Sequence, residues 1–198
     1  MEHNILITSV GGQGGIALAR VLAYAAMSQR MNVVVGETLG MAQRGGSVES
    51  HVRIGEGVYG QLIPRGRCDV LLSLELSEAV RVPKYLSSDT EVILSTAPVY
   101  PIPFLLKEAS YPELLKITSA LKKIGCKAYT LDAMALAIDA KAPNSLNIVI
   151  LGAYAALEKG VLTTESLRSA LSEALSKRFL DANIRAFDKG YDAMKELV

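Results

Sequence analysis

Cysteine is scarce in this chain and tryptophan is absent. The 198 residues include two cysteines, Cys68 and Cys126, which lie far apart and outside any C-x-x-C pair. Disulfide frameworks, zinc–thiolate sites and iron–sulfur clusters all need several cysteines at characteristic spacings. The sequence therefore argues against all three and predicts no metal site in this chain.

An excess of one charge is also missing. Lys and Arg number 21 against 20 Asp and Glu, whereas general nucleic-acid or membrane-surface binders carry a basic excess. No apolar run reaches the roughly 18 residues of a spanning helix, and the first residues lack the basic region of a signal peptide. We expect an intracellular, cytoplasmic protein with no nucleic-acid or membrane partner.

Strand and helix patterns interleave along residues 1–198, which predicts a single domain with a three-layer α/β fold. The expected architecture is a Rossmann-like, mostly parallel sheet flanked by helices, with a helical C-terminal third. Strands are predicted at residues 4–10, 32–37, 47–54, 58–63, 68–74, 90–95 and 127–131. Helices are predicted at 13–30, 111–124, 146–158, from Thr163 or Thr164 to 176, and at 180–197, and residues 97–103 should be extended.

A β-hairpin excursion is predicted at residues 47–64, with its turn at Gly55–Gly57. The alternation of residues 47–54 indicates a half-exposed strand. It predicts an exposed or interfacial His51 and an Arg53 on a solvated face. The exposed side of this hairpin is one candidate surface for a partner, and the apolar stripe of the last helix is another. That stripe comprises Leu180, Ile184, Phe187, Tyr191 and Met194.

A glycine-rich turn, SVGGQGG at residues 9–15, follows the first strand and precedes the first helix. It fits G-x-G-x-x-[GA], in which glycines allow close approach and free N–H groups at the helix start attract an anion. Glu37 lies about where a ribose-binding acid would sit in a nicotinamide dinucleotide site. Tight packing of helix on strand is a second interpretation, and an anionic group from another molecule or subunit is a third.

A second glycine-rich segment, ETLGMAQRGGSVESHVR at residues 37–53, follows the next strand. Both segments follow strands, so both should lie at the edge where ligands of doubly wound sheets gather. Arg44 can present a planar fork of donors to phosphate or carboxylate. No nucleophile or acid partner for His51 is evident, and we assign no catalytic residue to the chain.

GGQGG followed by ETLGMAQRGGSVESHVRIG resembles the gamma subunits or domains of 2-oxoacid:ferredoxin oxidoreductases. The MAQRGG form is most similar to the small, or beta, subunits of the indolepyruvate branch. The resemblance covers nearly the whole chain by length and element order, and it implies a single gamma-type domain over residues 1–198.

The resemblance implies a subunit of an oxidoreductase that decarboxylates 2-oxoacids, here indolepyruvate or other aryl pyruvates, to acyl-coenzyme A while reducing ferredoxin. Thiamine diphosphate, magnesium and iron–sulfur clusters would belong to a large alpha subunit, and the isolated chain would be inactive. The implied contact edge for that partner or for coenzyme A comprises Gly12, Gln13, Gly14, Gly15, Arg44, Gly45, Gly46 and Ser47. A stand-alone NAD(P)- or other nucleotide-binding protein and a purely structural scaffold subunit are the alternatives.

Overall fold

The computed structural model describes residues 2–39, 45–98 and 111–198. Its six-stranded sheet has the order β2-β3-β1-β4-β5-β6, in which β3 runs antiparallel to both neighbours and β1, β4, β5 and β6 pair in parallel. The strands are β1 (His3–Val10), β2 (Val33–Leu39), β3 (Ser47–Ile54), β4 (Val70–Ser73), β5 (Glu91–Ser95) and β6 (Lys127–Leu131).

Six α-helices occur in the described residues. They are α1 (Gly15–Ser28), α2 (Leu114–Ile124), α3 (Ala133–Asp139), α4 (Leu146–Ala155), α5 (Thr164–Ala174) and α6 (Leu180–Lys195). Short 3₁₀ turns lie at Ser77–Val80, Pro83–Tyr85 and Lys177–Phe179. Helix α3 was not predicted from the sequence.

The sheet separates two hydrophobic cores, as the three-layer prediction requires. Helices α1, α3, α4, α5 and α6 cover one face, and α2 with the first two 3₁₀ turns covers the other. The predicted α/β class, with a mostly parallel sheet and a helical C-terminal third, is confirmed. Strands β4 and β5 are buried on both faces, which explains their continuous apolar runs.

Local signals set several helix ends. The Thr163 hydroxyl accepts a hydrogen bond from the backbone N–H of Ser166 at 3.1 Å, so Thr163 is the N-cap of α5. Gly125 ends α2 in the left-handed region, at φ 99°. Among the described residues, no helix combines the length and apolar character needed to cross a membrane.

The predicted β-hairpin over residues 47–64 was wrong, because its second strand does not form. Strand β3 pairs with β2 and inserts between β2 and β1, while residues 58–63 form no strand and cover the sheet. The prediction of a half-exposed strand was wrong because the polar side of β3 is covered as well. His51 is fully buried, and its Nδ1 accepts the Ile63 N–H at 3.3 Å. Arg53 is buried and donates to Asn4 Oδ1 and Gly60 O at 2.9 and 2.8 Å.

The apolar stripe of the last helix packs inside the chain. Phe187 and Met194 of α6 are fully buried, and α6 lies along α4 with backbone nearly touching backbone. The prediction that this stripe serves a partner was therefore wrong, because the protein's own α4 covers it.

Candidate functional site

The first glycine turn joins the carboxyl end of β1 to α1. Gly12 and Gly14 adopt φ of 106° and 81°, which a residue with a Cβ rarely accepts. The Gln13 side chain braces the turn, because its Oε1 accepts the Val10 N–H at 2.7 Å and its Nε2 donates to Leu74 O at 3.0 Å. Both ends of the carboxamide are thus used within the chain, and Gln13 links the ends of β1 and β4.

The glycines of this turn have different surroundings. A Cβ on Gly14 would lie 2.7 Å from Asn147 Nδ2, which donates to Gly14 O at 3.1 Å. A Cβ on Gly15 would press on the Ser9 hydroxyl. A Cβ on Gly12 would meet nothing within 4 Å. Gly14 and Gly15 therefore serve internal packing, and Gly12 is the point of the turn where another molecule can approach the backbone.

The second glycine segment lies directly against the first. The Gly11 N–H donates to Gly46 O at 2.8 Å, and the Gly45 N–H donates to Gly11 O at 3.3 Å. The predicted adjacency of the two segments is confirmed for residues 45–47. Arg44 lies outside the described residues, as does the rest of residues 40–44.

The two adjoining glycine segments form a rim, defined here as residues 12–15 and 45–47. Ser47 connects this rim to a buried carboxyl group. Its hydroxyl donates to Glu78 Oε2, and Arg81 Nε lies 3.5 Å from the same oxygen. Burial raises the pKa of Glu78, although the Ser47 hydrogen bond and the Arg81 charge act in the opposite direction. The Ser47 hydroxyl is thus engaged with Glu78 in this structure.

Glu75 is a second buried carboxylate at the end of β4. Its Oε2 accepts the Ser77 N–H at 2.8 Å, the Ser77 hydroxyl at 2.6 Å and the Glu78 N–H at 3.1 Å. The Tyr111 hydroxyl donates to its other oxygen. Sequence reasoning missed Glu75 and Glu78, although their position directly after a buried strand was the available signal.

Glu37 is an exposed residue of edge strand β2. His51 lies away from the rim, under Tyr85 at a ring distance of 5.1 Å, with Nε2 at 3.7 Å from Glu49 Oε2.

The cysteines do not fit cluster ligation. Cys68 and Cys126 are buried free thiols, and burial raises the pKa of each. A metal–thiolate bond needs the deprotonated group. Among the described residues, no group of three or more His, Cys, Asp or Glu side chains is placed to hold a metal ion.

The family profile described as pyruvate ferredoxin/flavodoxin oxidoreductase matches residues 4–193. This chain belongs to that family. An indolepyruvate oxidoreductase subunit, IorB of Methanothermobacter thermautotrophicus, is 41% identical over 99% of this chain and 100% of its own length. The family relatives do not favour the stand-alone nucleotide-binding alternative, because they are named as oxidoreductase subunits.

Two solved structures share the fold of this chain. The gamma subunit of a keto/oxoacid ferredoxin oxidoreductase from Geobacter sulfurreducens has a TM-score of 0.72 and 23% identity, with 97% of this chain and 98% of that chain covered. A 2-oxoglutarate:ferredoxin oxidoreductase from Magnetococcus marinus, solved with 2-oxoglutarate, coenzyme A and succinyl-CoA, has a TM-score of 0.75 and 22% identity. The whole of this chain covers 31% of that longer one.

Proposed function

We propose that this chain is the small, cofactor-free subunit of an indolepyruvate:ferredoxin oxidoreductase. The complex would oxidatively decarboxylate aryl pyruvates to acyl-coenzyme A in the cytoplasm, with ferredoxin as the electron acceptor. The observation that carries the proposal is end-to-end identity of 41% to an indolepyruvate oxidoreductase subunit. The whole chain, residues 1–198, would act as one gamma-type domain.

In this proposal the thiamine diphosphate, magnesium and iron–sulfur clusters belong to a large alpha subunit. The donor set of this chain supports that division of labour, because its two thiols are buried and their pKa values are raised. Those groups would supply the decarboxylation and electron-transfer chemistry. The residues of this chain would shape the entrance to the thiamine site and contact coenzyme A, since proteins in cofactor enzymes contribute binding and orientation.

The rim, together with Arg44, would meet the alpha subunit or the phosphates of coenzyme A. Gly12 supports this role, because its position is open and a molecule can come close to the backbone there. The start of α1 has no side-chain cap and no acidic residue in its first turn, which favours an anion. Gly14, Gly15, Gly45 and Gly46 would hold the rim, Gln13 and Ser47 would brace it, and Arg44 would supply the cationic fork.

Co-expression tests the proposal. The chain would be purified alone and together with the large subunit, and viologen reduction measured with indolepyruvate, coenzyme A and thiamine diphosphate. The complex should reduce the dye, and the chain alone should not. Full activity from the chain alone, or an inactive complex whose thiamine and clusters are loaded, would overturn the assignment.

Arg44→Ala in the reconstituted complex tests the rim. The proposal expects a raised KM for coenzyme A, with the KM for indolepyruvate little changed, because one charge-assisted contact is lost. Arg65→Ala, at an exposed position remote from the two glycine segments in sequence, is the matched control. An unchanged coenzyme A dependence in Arg44→Ala would favour a scaffold role for the rim.

A further inference from the structure

The segment that follows β4, residues 74–80, is bonded to both glycine segments of the rim. The Leu74 carbonyl accepts a hydrogen bond from Gln13 Nε2 at 3.0 Å, and Glu78 Oε2 accepts one from the Ser47 hydroxyl. Gln13 belongs to the first glycine segment and Ser47 to the second. Residues 74–80, called the connector below, therefore fix the position of one glycine segment relative to the other.

The conformation of the connector depends on the side chain of Glu75. Its Oε2 accepts the Ser77 N–H, the Ser77 hydroxyl and the Glu78 N–H at 2.8, 2.6 and 3.1 Å. These bonds hold the start of the 3₁₀ turn Ser77–Val80, from which Glu78 reaches Ser47. Glu75 therefore acts on the rim through Glu78.

The Glu75 carboxylate is held entirely by hydrogen bonds of this kind. Glu75 is fully buried, and donors reach both of its oxygens, because the Tyr111 hydroxyl donates to Oε1. Burial strips a carboxylate of its water, and a full set of hydrogen bonds is needed to offset that loss. A connection that only joined two elements could use an uncharged residue. The buried carboxylate indicates that the conformation of the connector itself is required.

The connector is also fixed to the end of β1. The Leu74 N–H donates to Thr8 O at 2.8 Å. The Ser73 hydroxyl donates to Glu75 O at 2.8 Å and accepts the Thr8 hydroxyl at 2.8 Å. The carboxyl ends of β1 and β4 thus form one hydrogen-bonded unit, and a shift of the connector would change the spacing of the two glycine segments.

We infer that Glu75 is a positioning residue of the rim, which holds the two glycine segments at the spacing that binding requires. The inference rests on the proposed function, because the rim is the proposed contact for the large subunit or coenzyme A. Its structural part, the effect of Glu75 on the two segments, is measurable in the chain alone.

Amide hydrogen exchange of the full chain tests the structural part. The Gly11 N–H donates to Gly46 O at 2.8 Å and reports on the bond between the two segments, whereas the Leu72 N–H reports on buried strand β4. Glu75→Leu keeps the approximate volume but removes both acceptors, so Gly11 should exchange at least about tenfold faster. Glu75→Gln retains one acceptor oxygen for the backbone N–H groups of the connector and should keep most of the protection.

Milder variants and a matched control separate positioning from general stability. Ser47→Ala removes the link to the rim and should accelerate exchange at Gly11 but not at Leu72. Glu75→Asp, whose carboxylate is one methylene shorter, takes the place of Glu75→Leu if that variant does not fold. Thr90→Val is the control, because Thr90 is also fully buried and its hydroxyl makes two hydrogen bonds at the opposite, amino end of β5. It should accelerate exchange at Leu72 without a selective effect on Gly11.

The complex with the large subunit tests the functional part. Glu75→Leu and Ser47→Ala should each raise the KM for coenzyme A, or the dissociation constant of the complex, about fivefold, the equivalent of one hydrogen bond. The kcat should change little. The double variant should be no worse than the stronger single variant, because the two residues act in series. Thr90→Val should change neither constant.

Two results would overturn the inference. The first is unchanged exchange at Gly11 in both the Glu75 and the Ser47 variants, whatever the complex does. The second is faster exchange at Gly11 with both constants unchanged in an active complex, in which case the proposed function survives. An inactive parent complex whose thiamine and clusters are loaded would instead overturn the proposed function, and a selective effect on Gly11 would still support Glu75 as the residue that positions the two segments.

Discussion

Glycine allows close approach in two regions of this molecule, and the two regions use it for different purposes. At the turn after β1, Gly12 faces open space, and Gly14 faces the end of a flexible Asn147 side chain. Where α4 crosses α6, a Cβ on Gly152 would overlap Phe187 O, and a Cβ on Gly190 would overlap Val149 O. In the helix contact the two backbones pack directly against each other, whereas in the turn Gly12 remains accessible.

The glycine motif that stands out in the sequence is therefore not the place where the structure requires glycine most strictly. The glycine cluster lies at the turn after β1, yet Gly152 and Gly190, two isolated glycines within helices, have less room for a Cβ. Backbone cannot rotate away as the end of a side chain can, so the cost of a methyl group is highest in the helix pair. Five substitutions test the two regions.

Gly190→Ala should have the largest effect. Helix propensity alone predicts a gain of about 1 kcal/mol from this change, but overlap with Val149 O forces the helices apart and should cost about 3 kcal/mol or more. Urea unfolding of the chain measures the difference. A stability equal to or above that of the parent would contradict the backbone contact, and Gly152→Ala should behave in the same way.

Gln13→Leu should be the most damaging change at the turn. It keeps the approximate volume but leaves the Val10 N–H and the Leu74 carbonyl without their side-chain partner, at a cost of about 2 kcal/mol. Thermal unfolding is the readout, with exposed Gln61→Leu as control. Equal melting temperatures for Gln13→Leu and the parent would show that the brace is dispensable.

Gly12→Ala should cost less, about 1–2 kcal/mol, because the added methyl group meets only backbone strain at φ 106°. In the complex, the same change should raise the KM for coenzyme A if the rim binds it. A loss of stability as large as that in Gly190→Ala would contradict the distinction between the accessible Gly12 and the tightly packed Gly190.

Glu78→Gln should have the smallest effect, and a pH-dependent one. Burial raises the folded pKa of Glu78 above its unfolded value. Its contribution to stability is therefore present below the unfolded pKa and lost as pH rises through the folded pKa. The glutamine variant cannot ionise and should lose less stability over that interval.

Unfolding free energies from pH 4 to 8 provide the measurement for Glu78, with exposed Glu113→Gln as the matched control. Parallel profiles for parent and Glu78→Gln would exclude a raised carboxyl pKa at the rim. A difference confined to the Glu113→Gln control would do so as well.

Sequence patterns determined the order and type of most elements. Apolar runs predicted the buried strands β4 and β5, and Gly125 predicted the end of α2. Thr163 and Thr164 were both candidates for the start of α5, and the structure selects Thr163 as the N-cap. These features depend on local backbone preferences and on hydrophobic periodicity, and both are set by residues that are close together in the sequence. The two glycine motifs, in their order, likewise indicated the family.

Only the tertiary structure decided what covers each surface and where polar groups find partners. Alternation marked one side of β3 as polar, but residues 58–63 and Tyr85 bury it around His51. The apolar stripe of α6 packs on α4, and Gln13 reaches Leu74, which is 61 positions away. Such contacts depend on segments distant in the chain, so periodicity can report the polarity of a face but not whether water, another segment or a partner lies against it.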